Sequence, residues 1–446
     1  MKRKSSKLPA GDETLAMNGG KPVRRKPLPQ EWCGCSFMDE REVEAVARVA
    51  RAKSPFRFYG PDLQNEASQL EREFADKIGT KYALAVSSAT AGLQVALGAL
   101  GVGPGDEVLL PGYFWVATVG AVVRSGAVPV LVDCDDSFSI DPQKIEEKIT
   151  PRTKAIIMVH MGGVIGRVRE VVQVARKRGI KLIEDCAQAA GASQNGVRCG
   201  AFGDIGVFSF QLNKPMTSGE GGMVVTNDQR LYRRSQAIHD LGYPRNEAGR
   251  LDLTNEDTQL WGIGARMSEL TAAFARVQLS KLDDINASMR NAKNRIRKAL
   301  AGIPGISLRH VVDSSGDTGA FLYLTFEARE TSLRFVKALR AEGIVGGAGG
   351  HYPIHMDDWG MHIYYNIPSL VQKRGNAAKS VWTLAENQLS ATRSYAKGAC
   401  PNLDALLART MIICIASSLT EEDVSDIVTA IQKVAAHELT EVTSGK

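Results

Sequence analysis

Residues 204–222, DIGVFSFQLNKPMTSGEGG, decide how this chain is read. Positions 205–210 form an apolar run of strand length. The chain then leaves regular structure around one lysine, Lys214, and closes on Gly219, Glu220, Gly221 and Gly222. One reading of Lys214 is an ordinary surface lysine on a loop. The other is a desolvated amine, because burial lowers an amine's pKa, frees its lone pair and suits it to Schiff-base formation. Ser209 lies just upstream and the glycine-rich turn just downstream, where a phosphate beside an imine would need anchors.

Outward from this stretch the chain alternates between short apolar runs and amphipathic segments. Strands are predicted at 82–86, 107–110, 128–132, 154–159, 180–184, 205–210 and 223–226, with helices at 89–100, 115–124 and 167–177 between them. Short apolar strands separated by helices predict an α/β fold with a mostly parallel seven-stranded sheet covered on both faces. Two helices, at 39–53 and 63–78, precede it. The Pro- and Gly-punctuated segment 15–29 has no period and reads as an extended arm. A long amphipathic helix over 266–300 leads into a different pattern, a smaller α+β domain whose last helix opens on a capping box at Thr420 and Asp423. The division is therefore a tail and arm at 1–29, a large domain at 30–285, a small C-terminal domain at 286–437 and a tail at 438–446.

Composition excludes several classes. The chain has 446 residues, 44% apolar and 23% charged, with a formal charge of +6, as in an ordinary globular protein of two or three domains. The basic residues are dispersed, so no nucleic-acid footprint appears. No apolar run reaches the length of a membrane span, and the basic start lacks the apolar stretch of a signal peptide. Seven scattered cysteines predict reduced thiols in the cytoplasm rather than a disulfide framework. Cys33 and Cys35 form a C-x-C pair with no second pair or histidine at ligand spacing, so no metal site is expected.

Three features fall at predicted strand ends, where open α/β sheets bind ligands. Ser87-Ser88-Ala89-Thr90 joins a strand to a helix, and a helix start is an anion site. Glu184-Asp185-Cys186-Ala187-Gln188 ends an apolar strand, and a fixed carboxylate there can keep a pyridine nitrogen protonated. Ser209 and Lys214 are the third. Tyr113-Phe114-Trp115 lies between the first and second features, and one of these aromatics can cover a flat ring while the others fill the core. Phosphate site, aromatic, carboxylate and lysine in one sheet describe a site for pyridoxal 5′-phosphate (PLP).

The sequence also resembles the DegT/DnrJ/StrS aminotransferases, sugar and cyclitol enzymes of the fold-type I PLP class. The resemblance spans about 15–434 and rests on LAMNGGKPVR, SSATAGLQVAL, GPGDEVLLPGYFWVAT, ITPRTKAI, IEDCAQAAGA, GVFSFQLNKPMTSGEGGMVVTND and RMSEL. It implies that Lys214 forms the Schiff base and shuttles the proton, and that Asp185 pairs with the pyridine nitrogen. It places Gln188 against the ring or its hydroxyl, Trp115 on the ring face, and Ala89, Thr90 and Ser209 on the phosphate. It also implies a homodimer whose partner chain completes the phosphate cup. The expected reaction moves an amine from glutamate or glutamine to a keto-sugar or keto-cyclitol. A PLP-dependent dehydratase like the aminohydroxybenzoate synthases, and a PLP-binding accessory or regulatory subunit without turnover, are the alternatives.

This chain departs from the family at several points. Gly264 stands where the family commonly has an Asn that reaches the neighbour's phosphate. Met161-Gly162-Gly163 replaces a frequent Leu-Tyr-Gly. The segment after Lys214 resembles the cyclitol-type members more than the nucleotide-sugar ones. His351, Tyr352 and His355 match the family's substrate-side segment and are the candidate substrate residues. Arg266 either holds a carboxylate or forms a salt bridge at the helix start, and the structural reading is preferred.

Overall fold

The computed structural model describes residues 14–246, 248–347, 353–376 and 379–439. The first sheet contains β1 (Tyr82–Val86), β2 (Glu107–Pro111), β3 (Val128–Val132), β4 (Thr153–Val159), β5 (Lys181–Asp185), β6 (Ile205–Ser209) and β7 (Gly222–Thr226). Their spatial order is β1-β7-β6-β5-β4-β2-β3. β7 runs antiparallel to both neighbours and the other pairs are parallel. β2, β3, β6 and β7 are buried at every residue, as a sheet covered on both faces requires. The carboxyl ends of β1, β2, β5 and β6 share one edge of this sheet, and the predicted site segments follow directly from them.

Helices α1 (Glu40–Arg51), α2 (Glu66–Ile78), α3 (Ala89–Ala99), α4 (Val116–Ser125), α5 (Val168–Arg178) and α6 (Gln229–His239) cover the sheet. Local chemistry sets three of their starts: Asp39 closes a capping box with Glu42, and Ser88 and Asp228 accept first-turn N–H groups. α2 is capped from a distance. Its Glu66 and Ala67 N–H groups donate to the Glu269 carboxylate at 2.6 and 3.0 Å, where a negative charge also meets the positive end of the helix dipole. Glu269 opens α7 (Glu269–Leu300) behind a Ser268 cap.

α7 has 32 residues, about 48 Å at 1.5 Å per residue. Its Leu279 and Leu282 pack under the first sheet, while Ile285, Met289 and Ile296 belong to the core of a second. The boundary expected at 285 therefore falls inside a continuous helix. The second sheet is antiparallel, with β8 (Ser307–Leu308), β9 (Phe321–Thr325), β10 (Ile354–His355) and β11 (Thr410–Cys414) in the order β8-β9-β11-β10. α8 (Arg329–Ala341) and the final helix α10 (Glu421–Glu438) cover it; α9 (Pro401–Ala408) also touches β11, with Leu403 and Leu407 in one cluster with Ile412.

Between β10 and β11 the chain returns to the first sheet. Trp359, Ile363, Tyr364, Trp382 and Leu403 join the cluster that contains Leu110 and Val128. The buried Glu107 of β2 anchors this excursion by accepting from Ser390 at 2.5 Å and Arg393 at 3.1 Å. The segment expected as one small domain thus contributes to both cores. Its turns are mostly short 3₁₀ elements, which carry no hydrophobic period to announce their partner.

The N-terminal arm is stitched to the second sheet. The Ala16 and Val23 N–H groups donate to Glu342, and Arg24 pairs with Asp423 at 2.7 Å and Asp426 at 2.9 Å. Just beyond the arm, the Gly34 N–H donates to the Lys214 carbonyl at 3.2 Å.

Candidate active site

A cavity of about 350 Å³ opens at the carboxyl edge of the first sheet, and Ala89, Thr90, Trp115, Asp185, Gln188, Ser209 and Lys214 all line it. Asp185 is the last residue of β5 and is buried. Its Oδ2 accepts from the Thr118 hydroxyl at 2.7 Å and its Oδ1 from the Ala187 N–H at 3.1 Å. Burial still raises its pKa, against the opposing pull of Thr118, Ala187, Lys214 and His160. An ionised Asp185 therefore calls for a cation in the cavity, and a protonated ring nitrogen is one.

Lys214 ends a tight turn in which its N–H donates to the Gln211 carbonyl at 3.0 Å. The side chain is half-buried, and its open surface lines this cavity and a neighbouring one. Burial lowers its amine pKa, opposed first by the charge of Asp185. A neutral amine is the nucleophile that captures an aldehyde.

The phosphate end follows from the backbone. Ser88 accepts the Ala91 N–H at 3.1 Å, and the other first-turn N–H groups of α3 have no partner within the helix. Gly222 explains the glycine run. A Cβ there would lie 2.6 Å from the Phe208 carbonyl oxygen and 2.8 Å from the Ala89 nitrogen, so only glycine lets β7 begin against the start of α3.

Gln188 is fixed by the loop that departs from the family pattern. Its Oε1 accepts the Gly162 N–H at 2.9 Å. Gly162 has φ +64°, and a Cβ there would lie 2.6 Å from the Tyr323 hydroxyl oxygen. That hydroxyl is in turn 3.1 Å from that of Tyr113. The small-domain tyrosine occupies the space that a larger residue at 162 would need.

Glu184 faces away from the cavity as a structural clamp. Its Oε1 accepts the Phe202 and Gly203 N–H groups, both at 2.7 Å, and its Oε2 the Gly200 N–H and His160 Nε2, both at 2.9 Å. Arg266 is held by Asp240, which lies at the C-terminal end of α6 rather than at the helix start expected for this pair. Gly264 has φ +67°, and a Cβ there would meet nothing within 4 Å. It lines neither this cavity nor its neighbour.

Of the three candidate substrate residues, His355 alone is among the described residues. His351 and Tyr352 lie outside the described residues. His355 is buried in β10, where its Nε2 lies 3.1 Å from the Ala408 carbonyl and its Nδ1 accepts the Asp357 N–H at 3.2 Å; it lines neither cavity. Two residues unread from the sequence line the cavity as well. Thr118 orients Asp185. His362 lines both cavities, with its ring centroid 4.6 Å from that of Trp115.

The model of the DegT/DnrJ/EryC1/StrS aminotransferase family matches residues 37–381. The chain belongs to this family. It is 34% identical over 432 residues to an L-glutamine:2-deoxy-scyllo-inosose aminotransferase of Streptomyces fradiae, covering 95% of this chain and 98% of that one. An enzyme of the same description from Streptomyces kanamyceticus is 40% identical over 294 residues, covering 64% of this chain and 67% of the relative. The solved aminotransferase of Psychrobacter cryohalolentis superposes with a TM-score of 0.74 at 27% identity, over 93% of this chain and 100% of that one. The protein is a PLP-dependent aminotransferase. The cavity fits that cofactor: a desolvated amine, a buried carboxylate short of a cation, an aromatic face and a helix start converge on one space.

Proposed function

We propose that this aminotransferase moves the amine of glutamine, or of glutamate, to an unphosphorylated keto-cyclitol, with Lys214 as the covalent anchor. The observation that carries the reading is that the Lys214 amine and the Asp185 carboxylate line one cavity whose start-of-helix wall suits a phosphate. PLP, when bound, supplies an aldehyde and an electron-withdrawing ring that stabilises charge at the carbon losing its proton. Asp185 would keep the ring nitrogen protonated, with Thr118 and Ala187 holding its carboxylate in place. Trp115 covers the ring and excludes water from one face. Gln188, tied down by Gly162, fixes the ring edge. Lys214 carries the proton at its Nζ.

The acceptor class rests on a second cavity and on the relatives' names. This outer chamber, of about 430 Å³, shares Trp115, Gln188, Asn213, Lys214 and His362 with the first. Its walls include Glu31 and Asp358, and Lys214 is the one lysine or arginine among its described lining residues. A nucleoside-diphosphate sugar would set its phosphates against two carboxylates, whereas an uncharged polyol meets no such penalty. With glutamine as donor, 2-deoxy-scyllo-inosose is therefore expected to give a kcat/KM at least about 100-fold above that of a nucleotide-linked keto-sugar, as a like-charge penalty of a few kcal/mol implies. Product analysis by mass spectrometry checks this, and equal or reversed preference would remove the acceptor reading.

The same proposal includes a homodimer in a reducing, cytoplasmic compartment. Trp261 is 94% exposed and Leu253 65%, on the loop that leads to Gly264, and a partner chain would take these large apolar side chains out of water. None of the seven cysteines forms a disulfide, which suits that compartment. Light scattering is expected to give twice the 48.2 kDa of the chain, falling to one chain's mass in Trp261→Asp. A wild type that runs as a monomer removes the dimer.

A further inference from the structure

One peptide group beside the cofactor cavity is gripped at both of its polar ends. It joins Met161 to Gly162. Its carbonyl accepts from Arg309 Nη1 at 2.7 Å, and its N–H donates to Gln188 Oε1 at 2.9 Å. The oxygen and hydrogen of a trans peptide point in opposite directions, so Arg309 and Gln188 hold this plane from opposite sides. Arg309 directly follows β8 of the second sheet, yet its guanidinium serves loops of the first. Its Nε donates to the Ser137 carbonyl at 2.6 Å, and it lies over the Tyr323 ring, 4.7 Å from the centroid. Arg309 is buried. A guanidinium taken out of water needs acceptors, and this one finds them in two backbone carbonyls.

The grip matters because the loop is built to turn over. Gly162 and Gly163 have φ of +64° and +76°, and glycine exchanges such conformations for their mirror images without a Cβ penalty. Rotation about the bonds that flank the 161–162 peptide would swap its carbonyl and N–H while the chain beyond stays in place. The Gly163 carbonyl, which accepts the Thr318 N–H at 3.1 Å, fixes one such side. Gln188 registers the outcome. Facing an N–H, its amide must present Oε1, which leaves Nε2, a donor, for the cavity that Gln188 lines. Facing a carbonyl, the amide would reverse and leave Oε1, an acceptor. A charged donor on the Met161 oxygen also polarises the peptide and strengthens its N–H.

Resting on the placement of Gln188 at the ring edge in the reading above, we propose that Arg309 is a positioning residue that locks the 161–162 peptide, so that Gln188 presents the donor end of its amide to the cofactor. A side chain of the second sheet thereby sets which hydrogen-bonding group the first sheet offers there.

The test is a double-mutant cycle in the full chain with Arg309→Met and Gln188→Leu, read by equilibrium dialysis of PLP and by crystal structures. Each single change is expected to raise the apparent Kd for PLP about tenfold, as loss of one hydrogen bond at a desolvated site implies. In the Gln188→Leu background, Arg309→Met should add less than about threefold, because the amide that it orients is gone. Crystals of Arg309→Met should show the 161–162 peptide reversed, with the Met161 carbonyl toward Gln188. Should that variant fail to fold, Arg309→Lys, which keeps the charge but loses the planar fork, takes its place under the same criteria. The proposal is overturned if the two effects on Kd multiply, as they would for an arginine that serves only the fold. It is equally overturned if Arg309→Met leaves the Kd within about threefold of wild type, or keeps the wild-type peptide and amide. A Gln188→Leu protein that holds PLP as tightly as wild type overturns instead the placement of Gln188 at the ring, and the proposal with it.

Discussion

Lys214→Ala is expected to abolish the absorption band near the visible edge that appears when the wild-type protein is incubated with PLP, and to lower turnover by at least about 10⁴-fold, as loss of a covalent catalyst does. The cofactor should still bind, because the α3 start, Ser209 and Asp185 remain in place. Equilibrium dialysis against PLP separates that retained binding from the lost band. The wild type's rate of capturing the aldehyde should rise with pH as the amine deprotonates. It should level off below the ordinary lysine value of 10.5, because burial lowers the Lys214 pKa. A band that survives the substitution would move the covalent role to another residue. A pH profile that levels off at the ordinary value would contradict the desolvation of this amine.

Asp185→Asn carries the second large effect. The amide keeps the shape and a hydrogen bond to Thr118 but cannot balance a protonated ring nitrogen. We expect kcat/KM to fall about 10³-fold, the scale seen when preorganised charge is removed from a catalytic site, with much weaker retention of PLP on dialysis. Stability should move the other way in the cofactor-free protein. Burial raises the Asp185 pKa above its ordinary 3.8, so the folded state holds this proton more tightly than the unfolded one. The group's favourable contribution is then complete below pH 3.8 and is lost as pH rises through the folded value. At neutral pH the wild type bears the cost of a buried carboxylate that Asp185→Asn lacks. The variant is accordingly expected to melt at a higher temperature than wild type without cofactor, and the order should narrow or reverse once PLP is added. A variant that melts lower in both conditions would show that Asp185 serves the fold rather than the ring. Thr118→Val should share the loss of activity at smaller scale, since it loosens the carboxylate without removing it.

The parts of this site that could be read from the sequence are those set by strand ends. Asp185 and Ser209 each close an apolar strand, and parallel strands in one sheet must bring such ends to a common edge; Ser88 and Lys214 follow from the adjoining turns. Alternation between short apolar runs and amphipathic segments was enough to place all seven strands to within a residue or two. What escaped depends on contacts between distant segments. Thr118 looks like any small polar residue on the inner face of a helix, and only the position of α4 against β5 aims it at Asp185. His362 is set beside Trp115 by a ladder between two segments about 250 residues apart in sequence, and neither segment has a strand-like period. His355 drew notice by its motif, but the motif's geometry sends it into the second sheet. Gly162 was visible as a departure, yet its reason lies in Tyr323, on another domain.

The arm has a consequence for how the protein comes into being. Residues 15–34 are the first of the described chain to leave the ribosome, but their seat is made by Glu342, Asp423 and Asp426, which are synthesised hundreds of residues later. Contacts of such separation close last. The peptide that touches the Lys214 carbonyl therefore cannot settle until the final helix has emerged and folded. A chain cut short by premature termination would build the sheet, the cavity and the lysine, but would leave the arm unseated and the site open on that side. The seat of the arm thus depends on residues hundreds of positions further along the chain.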